Sequence, residues 1–481
     1  MRTRTRLYVL LVAAFAVLGA GVSAGRISAG TIDGEKNPEG VEENGSASAK
    51  TSADLSYAPG AAPADRILAT ISDVTLRALI ADVLARNPEI AATKARAESI
   101  EQRAPQVRAL PDPVAGVTAF VLTPETRVGS QEASAGIAQK FPWFGKLKLK
   151  ERAALFAAAA ARADVETLRL KLVTEVRRLY YELGFLDALD EVIRTDRATL
   201  SHYEELAEAR YRSGVGHQQP VIKIQAEITK ASTKLLKVAD RRAVIVASLN
   251  ALRDYPQMTA ISKTELPTLP EIVTDLERLR AQALASRPEI AMSDAQIARS
   301  TALVDLAGKS YKPDVTAGIF YTAVGSRDDP AGRLNPPPDN GDDIFGISAG
   351  INLPIWRKKL DAGVEEAVKT ELAAQESKRS VVAKIDSSLG ELPPRIDLTW
   401  QQLRLFEDVL VVQAEQSLLS AEAGYSAGSQ DALDLLDAER VLLDVRTGTE
   451  RNRADYAIAL AQLEGSVGGS LNQTLSSGEQ E

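Results

Sequence analysis

The sequence lacks cysteine and has little histidine. Its 481 residues include no Cys and two His, His202 and His217. These counts exclude disulfides, thiolate catalysis, cysteine-ligated zinc, iron–sulfur clusters and lipidation of an N-terminal cysteine. They also leave little material for a histidine-based metal site or catalytic triad. We therefore predict no catalytic residues, no metal site and no cofactor, and we expect that the chain is not an enzyme.

The sequence also has fewer basic than acidic residues. The chain carries 57 Lys+Arg against 65 Asp+Glu, a formal net charge of −8. A dedicated nucleic-acid binder would show a basic patch or a strongly basic isoelectric point. We therefore expect no nucleic-acid partner.

Long apolar runs are confined to the N-terminus. Basic residues precede an apolar stretch at 7–18, and Val22-Ser23-Ala24 then offers small residues where a signal peptidase cuts. We interpret residues 1–24 as a signal peptide, with an uncleaved membrane anchor as the alternative. No later stretch reaches the roughly 18 apolar residues of a membrane helix. Residues 25–70, rich in Gly, Ser, Ala, Glu and Pro, are predicted to be a flexible N-terminal arm, and residues 469–481 a flexible C-terminal tail.

The chain contains an internal duplication. Four motifs recur in the same order, with offsets that grow from 200 to 214 residues: 84–90 as 284–290, 111–116 as 312–318, 141–146 as 353–358, and 211–214 as 425–428. A period near 200 residues is far too long for a solenoid. We interpret the chain as two related halves, 71–264 and 275–468, joined by a linker at 265–274.

Each half contains two predicted strands. They cover about 114–122 and 133–141 in the first half, and about 314–323 and 344–353 in the second. Apolar and small or polar residues alternate most clearly in the second pair, a pattern of membrane-barrel strands and equally of a two-sided soluble sheet. Aromatic residues favour the membrane alternative, since they gather in or beside these strands: Phe120, Phe141, Trp143, Phe144, Phe320, Tyr321, Phe345 and Trp356. A long polar loop at 324–343 is expected to be extracellular.

Very long helices follow the strands. Residues 73–107 predict a helix before the first strand pair, and 146–213, with no proline and one glycine, a much longer one after it. The longer segment has a coiled-coil stripe of apolar residues: Leu172, Val176, Leu179, Leu183, Leu186, Leu189 and Ile193. The chain then turns near 213–216 and returns as a helix, and the second half does the same near 427–430. Gly390, Pro393 and Pro394 predict a break or kink near 388–394.

This layout, with its motifs, resembles the outer membrane factor (TolC) family of Gram-negative bacteria. The segment at 141–146 is similar to efflux-type members of the CusC/CzcC kind. The resemblance implies a mostly α fold with membrane β: antiparallel coiled-coil helices that form an α-barrel, and four transmembrane strands per protomer in a shared twelve-strand trimeric β-barrel. It implies an exit duct of a tripartite efflux pump in the outer membrane, extending into the periplasm. The implied partners are two further copies of the chain, outer membrane lipid, a periplasmic adaptor and an inner-membrane pump of the RND type.

The same resemblance places candidate sites at the helical turns. The family motif Tyr-x-x-Gly followed by Asp-x-x-Asp is matched by Tyr425, Gly428, Asp434 and Asp437. The first repeat keeps Tyr211 and Gly214 but has Pro220 where an acidic residue is expected. The two Tyr and two Gly are the predicted adaptor-docking tips, and the two Asp are predicted to line a periplasmic aperture.

Simpler interpretations of these residues remain open. An isolated Asp-x-x-Asp pair on one helix face is usually just solvated, and the two glycines can simply end helices. His217 in the first turn is either an ordinary polar loop residue or an adaptor contact.

Other functions are also compatible with parts of the pattern. They are an outer membrane component of type I protein secretion, a periplasmic coiled-coil adaptor, and a secreted hydrolase for which no catalytic motif is present. A requirement for detergent separates the channel from the adaptor and the hydrolase.

Overall fold

A computed structural model describes residues 62–327 and 329–471. The chain divides into two compact units. One unit consists of Pro105–Glu151 and Leu303–Glu366 and contains the strands. The other consists of 62–104, Arg152–Ala302 and 367–471 and is helical. None of the helices within the described ranges combines the length and the apolar character that a membrane crossing requires.

Twelve α-helices and five strands follow one another in the described part of the chain. In order they are α1 (Pro63–Thr70), α2 (Val74–Arg86), α3 (Pro88–Glu101), α4 (Arg103–Arg108), β1 (Val114–Ala119), β2 (Glu125–Thr126), β3 (Gly129–Phe141), α5 (Lys146–Arg212), α6 (Gln218–Leu252), α7 (Leu276–Ser286), α8 (Pro288–Gly308), β4 (Val315–Val324), α9 (Pro330–Leu334), β5 (Ile344–Ile351), α10 (Arg357–Leu405), α11 (Val411–Ala427) and α12 (Ala432–Val467). A 3₁₀ turn, Lys309–Tyr311, follows α8, and a π-helical turn, Phe406–Leu410, joins α10 to α11.

The long strands form one antiparallel sheet in the order β1-β3-β4-β5. The four strands lie where the alternating pattern predicted them, with shifted ends. β3 begins earlier than expected because β2, inside the predicted loop at 123–131, folds back on its first residues. β1 ends at Ala119, although the Phe120 N–H still donates to the Glu132 carbonyl oxygen at 3.1 Å.

One face of this sheet is apolar. The ladder pairs Ile137 with Ile319 and Ile319 with Ile347, so these side chains share a face. They are 50%, 51% and 82% exposed in the single chain. The next row on one side is Val117, Ala135, Tyr321 and Phe345. On the other side comes a row of Gln139, Ala317 and Ala349, and then one of Phe141, Val315 and Ile351.

In the middle of the sheet, the opposite face carries small or polar residues and one large ring, and apolar Val114, Val324 and Ile344 lie on it at the strand ends. Phe320 lies opposite Gly136 on β3 and Gly346 on β5. A side chain at Gly346 would overlap the ring of Phe320. The glycines therefore make room for the aromatic ring between two close strands.

The helical unit begins with short helices separated by capped turns. The predicted helix at 73–107 is interrupted after Arg86, where the Asn87 side chain accepts hydrogen bonds from the backbone of Glu89 and Ile90. Pro88 then opens the next helix, a position at which its missing N–H costs nothing. Asn87 is also tied to α6, because its side-chain amide donates to the Leu252 carbonyl oxygen at 2.7 Å.

The longest element is α5, whose 67 residues span about 100 Å at 1.5 Å per residue. Its predicted coiled-coil stripe is buried except for the half-buried Leu189. An α-helix of this length is stable only when an apolar face is packed. The fold therefore depends on the stripe rather than on helix propensity alone.

Of the break or kink predicted at 388–394, the break is wrong. α10 continues through Pro393 and Pro394, and the irregular turn comes later, at Phe406–Leu410. Proline inside a helix removes a backbone hydrogen bond and clashes with the carbonyl four residues earlier. Leu389, Leu392 and Ile396 are buried in one hydrophobic cluster, and this packing offsets the lost hydrogen bonds.

The segment between α6 and α7, which includes the predicted linker at 265–274, has no regular structure but is anchored. The buried carboxylate of Asp187 on α5 accepts hydrogen bonds from the Thr264 backbone N–H at 2.9 Å and from Arg242 at 2.7 Å. Farther along, the Tyr456 hydroxyl donates to the Pro270 carbonyl oxygen at 2.8 Å.

The end of the predicted N-terminal arm differs from the expectation. Pro63–Thr70 is helical, and Ala64 and Ile67 are buried against the α2 side chains and the core of the helical unit. The apolar residues of this short amphipathic stretch were hidden by the polar composition around them. The predicted signal peptide at 1–24, the rest of the arm and most of the C-terminal tail lie outside the described residues.

Candidate functional site

The two hairpin turns have the same backbone structure. In the first, the N–H groups of Val215 and Gly216 donate to the Arg210 carbonyl oxygen, each at 3.1 Å. In the second, the N–H groups of Ser429 and Gln430 donate to the Gly424 carbonyl oxygen at 2.9 and 3.2 Å. These positions are related by the 214-residue offset of the sequence repeat. The first hairpin, α5 with α6, and the second hairpin, α11 with α12, thus end in equivalent turns.

A glycine in left-handed conformation closes each turn. Gly214 has a φ of 74° and Gly428 a φ of 76°. A β-carbon at Gly214 would meet no atom within 4 Å, whereas one at Gly428 would lie 3.5 Å from the Arg210 guanidinium. Glycine is therefore needed for the backbone angle and not for space inside the protomer.

The two predicted docking tyrosines have different environments. Tyr211 is 47% exposed, but Tyr425 is only 8% exposed. The Arg210 guanidinium donates to the Tyr425 carbonyl oxygen and lies 4.7 Å from the centre of its ring. Arg210 thereby joins the tip of the first hairpin to the tip of the second.

Below the turns, all four hairpin helices share one hydrophobic core. We call this core the tip cluster; it contains Leu200, Tyr203, Ala207, Val221, Ile224, Ala414, Leu418, Ala421, Tyr425, Ala432, Leu435, Leu436, Ala438 and Leu442. The Tyr203 hydroxyl donates to the carboxylate of Glu422 on α11. Burial raises the pKa of the Tyr203 hydroxyl, and the hydrogen bond to Glu422 raises it further.

The second hairpin places both predicted aperture carboxylates on the exposed side of α12. Asp431 caps the helix, and its own N–H donates to the Asp434 carboxylate at 3.1 Å. This reciprocal arrangement is a capping box, which gives Asp434 a structural role in addition to its charge. Asp437 lies one turn further along the same helix.

The first hairpin is not charged in the same way. At the corresponding positions it has His217, Pro220 and Lys223. His217 is the residue before α6, and its side chain makes no capping hydrogen bond. The acidic pair therefore belongs to the second hairpin alone, and a basic residue replaces its second member in the first.

Sequence reasoning missed Arg210. The sequence repeat offered one indication, because the position of Arg210 in the first half is occupied by Gly424 in the second half. A β-carbon at Gly424 would overlap the Gln430 side chain, which would have to move if that repeat carried an arginine.

The site has the chemistry of a binding and conduction surface. Within residues 62–327 and 329–471, no group of three His, Asp or Glu side chains could hold a metal ion. The turns offer exposed backbone and side chains, and α12 offers two carboxylates of like charge. Such groups can dock a protein partner or select ions by charge.

A sheet with an apolar exposed face and a duplicated pair of helical hairpins define an outer membrane channel protein. The sequence profile described as Outer membrane efflux protein matches residues 79–253 and 279–469. The chain belongs to this family.

Individual relatives agree with the family. The chain is 23% identical to the pyoverdine export outer membrane protein OpmQ of Pseudomonas putida, over 70% of this chain and 69% of that one. It is also 23% identical to the cobalt-zinc-cadmium resistance protein CzcC of Cupriavidus metallidurans, over 78% of this chain and 85% of that one. The solved structure of the outer membrane protein VceC from Vibrio cholerae superposes with a TM-score of 0.68 at 21% identity, covering 83% of this chain and 97% of that one.

These findings confirm the predicted family, the mostly helical duplicated fold, the location and the function. The protein is an outer membrane efflux channel that extends into the periplasm. It is the exit duct of a tripartite efflux pump, and its partners are an adaptor and an inner-membrane pump. The family consists of channel proteins and not of enzymes.

Proposed function

We propose that three copies of the chain close into one duct. The strands β1, β3, β4 and β5 of each copy would form a shared twelve-strand barrel in the outer membrane. The hairpins would form the periplasmic part of the duct, with Asp434 and Asp437 at its aperture. Tyr211, Gly214, Tyr425 and Gly428 would be the sites at which the adaptor docks.

The apolar face of the sheet supports a lipid environment. Isoleucines in one row across β3, β4 and β5 are half or more exposed in the single chain, and the middle of the opposite face is small or polar apart from Phe320. Exposure of such a surface to water would be costly, at roughly 25 cal/mol per Å². Contact with outer membrane lipid removes that cost.

The edges of the sheet support closure with neighbouring copies. β1 and β5 each pair on one side only within the described residues. Because consecutive strands alternate in direction, β5 of one copy would run antiparallel to β1 of the next. A ring of copies therefore continues the same ladder and leaves no bare edge in the membrane.

The type of pump is proposed from the similarity to efflux-type members. We propose an inner-membrane pump of the RND type. The segment Phe141–Lys146 is similar to the CusC/CzcC kind, and one relative named above is a cobalt-zinc-cadmium resistance protein. Metal ions or drugs are the cargo classes that this kind of pump would deliver to the duct.

Cross-linking tests the closed ring directly, because the chain has no cysteine of its own. Val117→Cys on β1 and Ile347→Cys on β5 place thiols on the apolar face of the two edge strands. In outer membranes, a flexible bis-maleimide should link the double variant into dimers and trimers and nothing larger. The two single variants are the controls and should remain monomeric on denaturing gels. Monomers alone from the double variant, or products beyond a trimer, would contradict the proposal.

A further inference from the structure

Two carboxyl groups meet where the hairpins contact each other. Asp196 on α5 and Glu439 on α12 are 6% and 5% exposed. The two carboxyl groups are electrostatic neighbours, since each acts on the pKa of the other. They line a cavity of about 40 Å³ beside the tip cluster, together with residues of α6.

A proton would allow the two groups to bond to each other. Two ionised carboxylates are acceptors only, so they can share a hydrogen bond only when one of them carries a proton. In addition, the Oε2 atom of Glu439 is buried and has no hydrogen-bond partner. A neutral carboxyl group tolerates such a position far better than an ionised one.

Three of the nearby cations, Lys230, Arg440 and Arg446, pair with other carboxylates. Glu227 on α6 accepts from Lys230 and from Arg440, each at 2.9 Å. Arg446 on α12 pairs with Glu415 at 2.9 Å.

Two further groups face the pair. Lys234 on α6 favours the ionised form of Asp196. Glu422 on α11 accepts a hydrogen bond from Tyr203, and its charge disfavours the ionised form of Glu439. Within residues 62–327 and 329–471, neither Asp196 nor Glu439 forms a salt bridge. The positive charges of Lys230 and Lys234, which line the cavity, also disfavour a bound metal ion.

We propose that Asp196 and Glu439 bind one shared proton, which fastens the second hairpin to the first and whose loss loosens their contact. The pair joins α5 to α12, one helix from each hairpin, so that repulsion between two carboxylates would act directly across the interface. The proposal does not depend on the assignment of the docking tips or of the aperture.

The direction of the pH effect follows from the folded environment. Burial, and next the contact with Asp196, raises the pKa of Glu439 to about 8, and burial also raises the pKa of Asp196. A raised carboxyl pKa contributes stability that is complete below the ordinary value of about 4.5 and is lost as pH rises through the folded value. The hairpin contact should therefore weaken progressively as pH rises above about 4.5, and the last part of this loss should fall between about pH 7 and pH 9.

Hydrogen exchange of the full-length protein in detergent tests the proposal. Between pH 7 and pH 9, after correction for the intrinsic exchange rate, amides of α5 and α12 around Asp196 and Glu439 should lose protection roughly tenfold. In Glu439→Gln the amide stays neutral and can donate to Asp196, so the protection should be independent of pH. Asp444→Asn removes an exposed carboxylate of the same helix and should respond to pH as the wild type does. If Glu439→Gln loses protection as the wild type does, or Asp444→Asn abolishes the response, the proposal is wrong.

Infrared spectroscopy gives a second readout that does not depend on hairpin packing. The wild type at pH 6 should show the C=O stretch of a buried protonated carboxyl group, and this band should vanish above pH 9. The band should be absent from Glu439→Gln. If Glu439→Gln does not fold, Asp196→Asn takes its place and should also lack the band. Absence of the band from the wild type at pH 6, or its persistence in the folded variant, would overturn the proposal.

Discussion

At the scale of single residues, substitutions of the turn glycines distinguish the effect of backbone strain from the effect of side-chain size. Gly214→Ala and Gly214→Val both place a β-carbon at a φ of 74°, which costs roughly 1–2 kcal/mol. Among the described residues, no atom beyond the chain neighbours of Gly214 lies within 4 Å of that carbon, so both variants should fold and reach the outer membrane. If the turn is a docking point, valine should abolish export while alanine retains most of it. Drug or metal tolerance of cells, with immunoblots of outer membranes, measures both properties.

The same pair of substitutions at Gly428 is the companion experiment. A β-carbon there lies 3.5 Å from Arg210, which is ordinary contact. Export by Gly214→Val and Gly428→Val at the wild-type level would show that neither turn is a docking point.

Residue roles were only partly predictable from the sequence. The motif spacing placed Gly214 and Gly428 in turns, because glycine after a helical pattern has few other uses. Tyr211 and Tyr425 looked equivalent, yet one is exposed and the other buried. Tyr425 packs in the tip cluster and contacts Arg210 from another part of the chain, and no local pattern encodes such contacts.

At the scale of elements, Arg210 should contribute measurably to the contact between hairpins. It supplies a charge-assisted hydrogen bond and a cation–π contact to Tyr425, so Arg210→Ala should destabilise the tips by roughly 1–3 kcal/mol. Arg212→Ala is the matched control, because Arg212 forms only an exposed ion pair with Glu208 on its own helix. Hydrogen exchange at the ends of α5 and α11 should detect the first change and little of the second. Equal protection in the two variants would leave Arg210 without a role in joining the hairpins.

Helix continuity shows where local rules fail. The apolar period predicted α5 over 146–213, and the structure gives Lys146–Arg212. The same local reasoning failed at Pro393 and Pro394, since the buried Leu389 and Ile396 on either side hold the helix together. Tertiary packing therefore overrides the proline signal, and the sequence alone does not reveal which helix receives that support.

At the scale of the whole molecule, a single chain leaves its functional surfaces incomplete. The alternation of apolar residues predicted the strands, but the exposed face and the unpaired edges became visible only with the register of the sheet. Likewise, two carboxylates on α12 are an ordinary solvated pair in one protomer. Three-fold assembly would bring six of them towards one axis, and only there would they act on passing ions.

The aperture prediction follows from that assembly. In planar bilayers the resting channel should conduct little, favour cations and be blocked by divalent ions. Asparagine is the informative replacement, because it removes the charge while its amide oxygen can still accept the Asp431 N–H that Asp434 binds at 3.1 Å. Asp434→Asn combined with Asp437→Asn should therefore lose cation preference and divalent block without unfolding the start of α12.

Alanine at the same two positions would mix two effects, since loss of the capping box alone costs about 1 kcal/mol. Asp444→Asn, an exposed position further along α12, is the control for a general change in charge and should conduct as the wild type does. Unchanged selectivity in the double asparagine variant would assign Asp434 to helix capping and Asp437 to the solvated surface. Loss of cation preference and divalent block in the double asparagine variant, but not in Asp444→Asn, would place the pair at the constriction. Fixed charges affect ion selectivity strongly only where the passage is narrow.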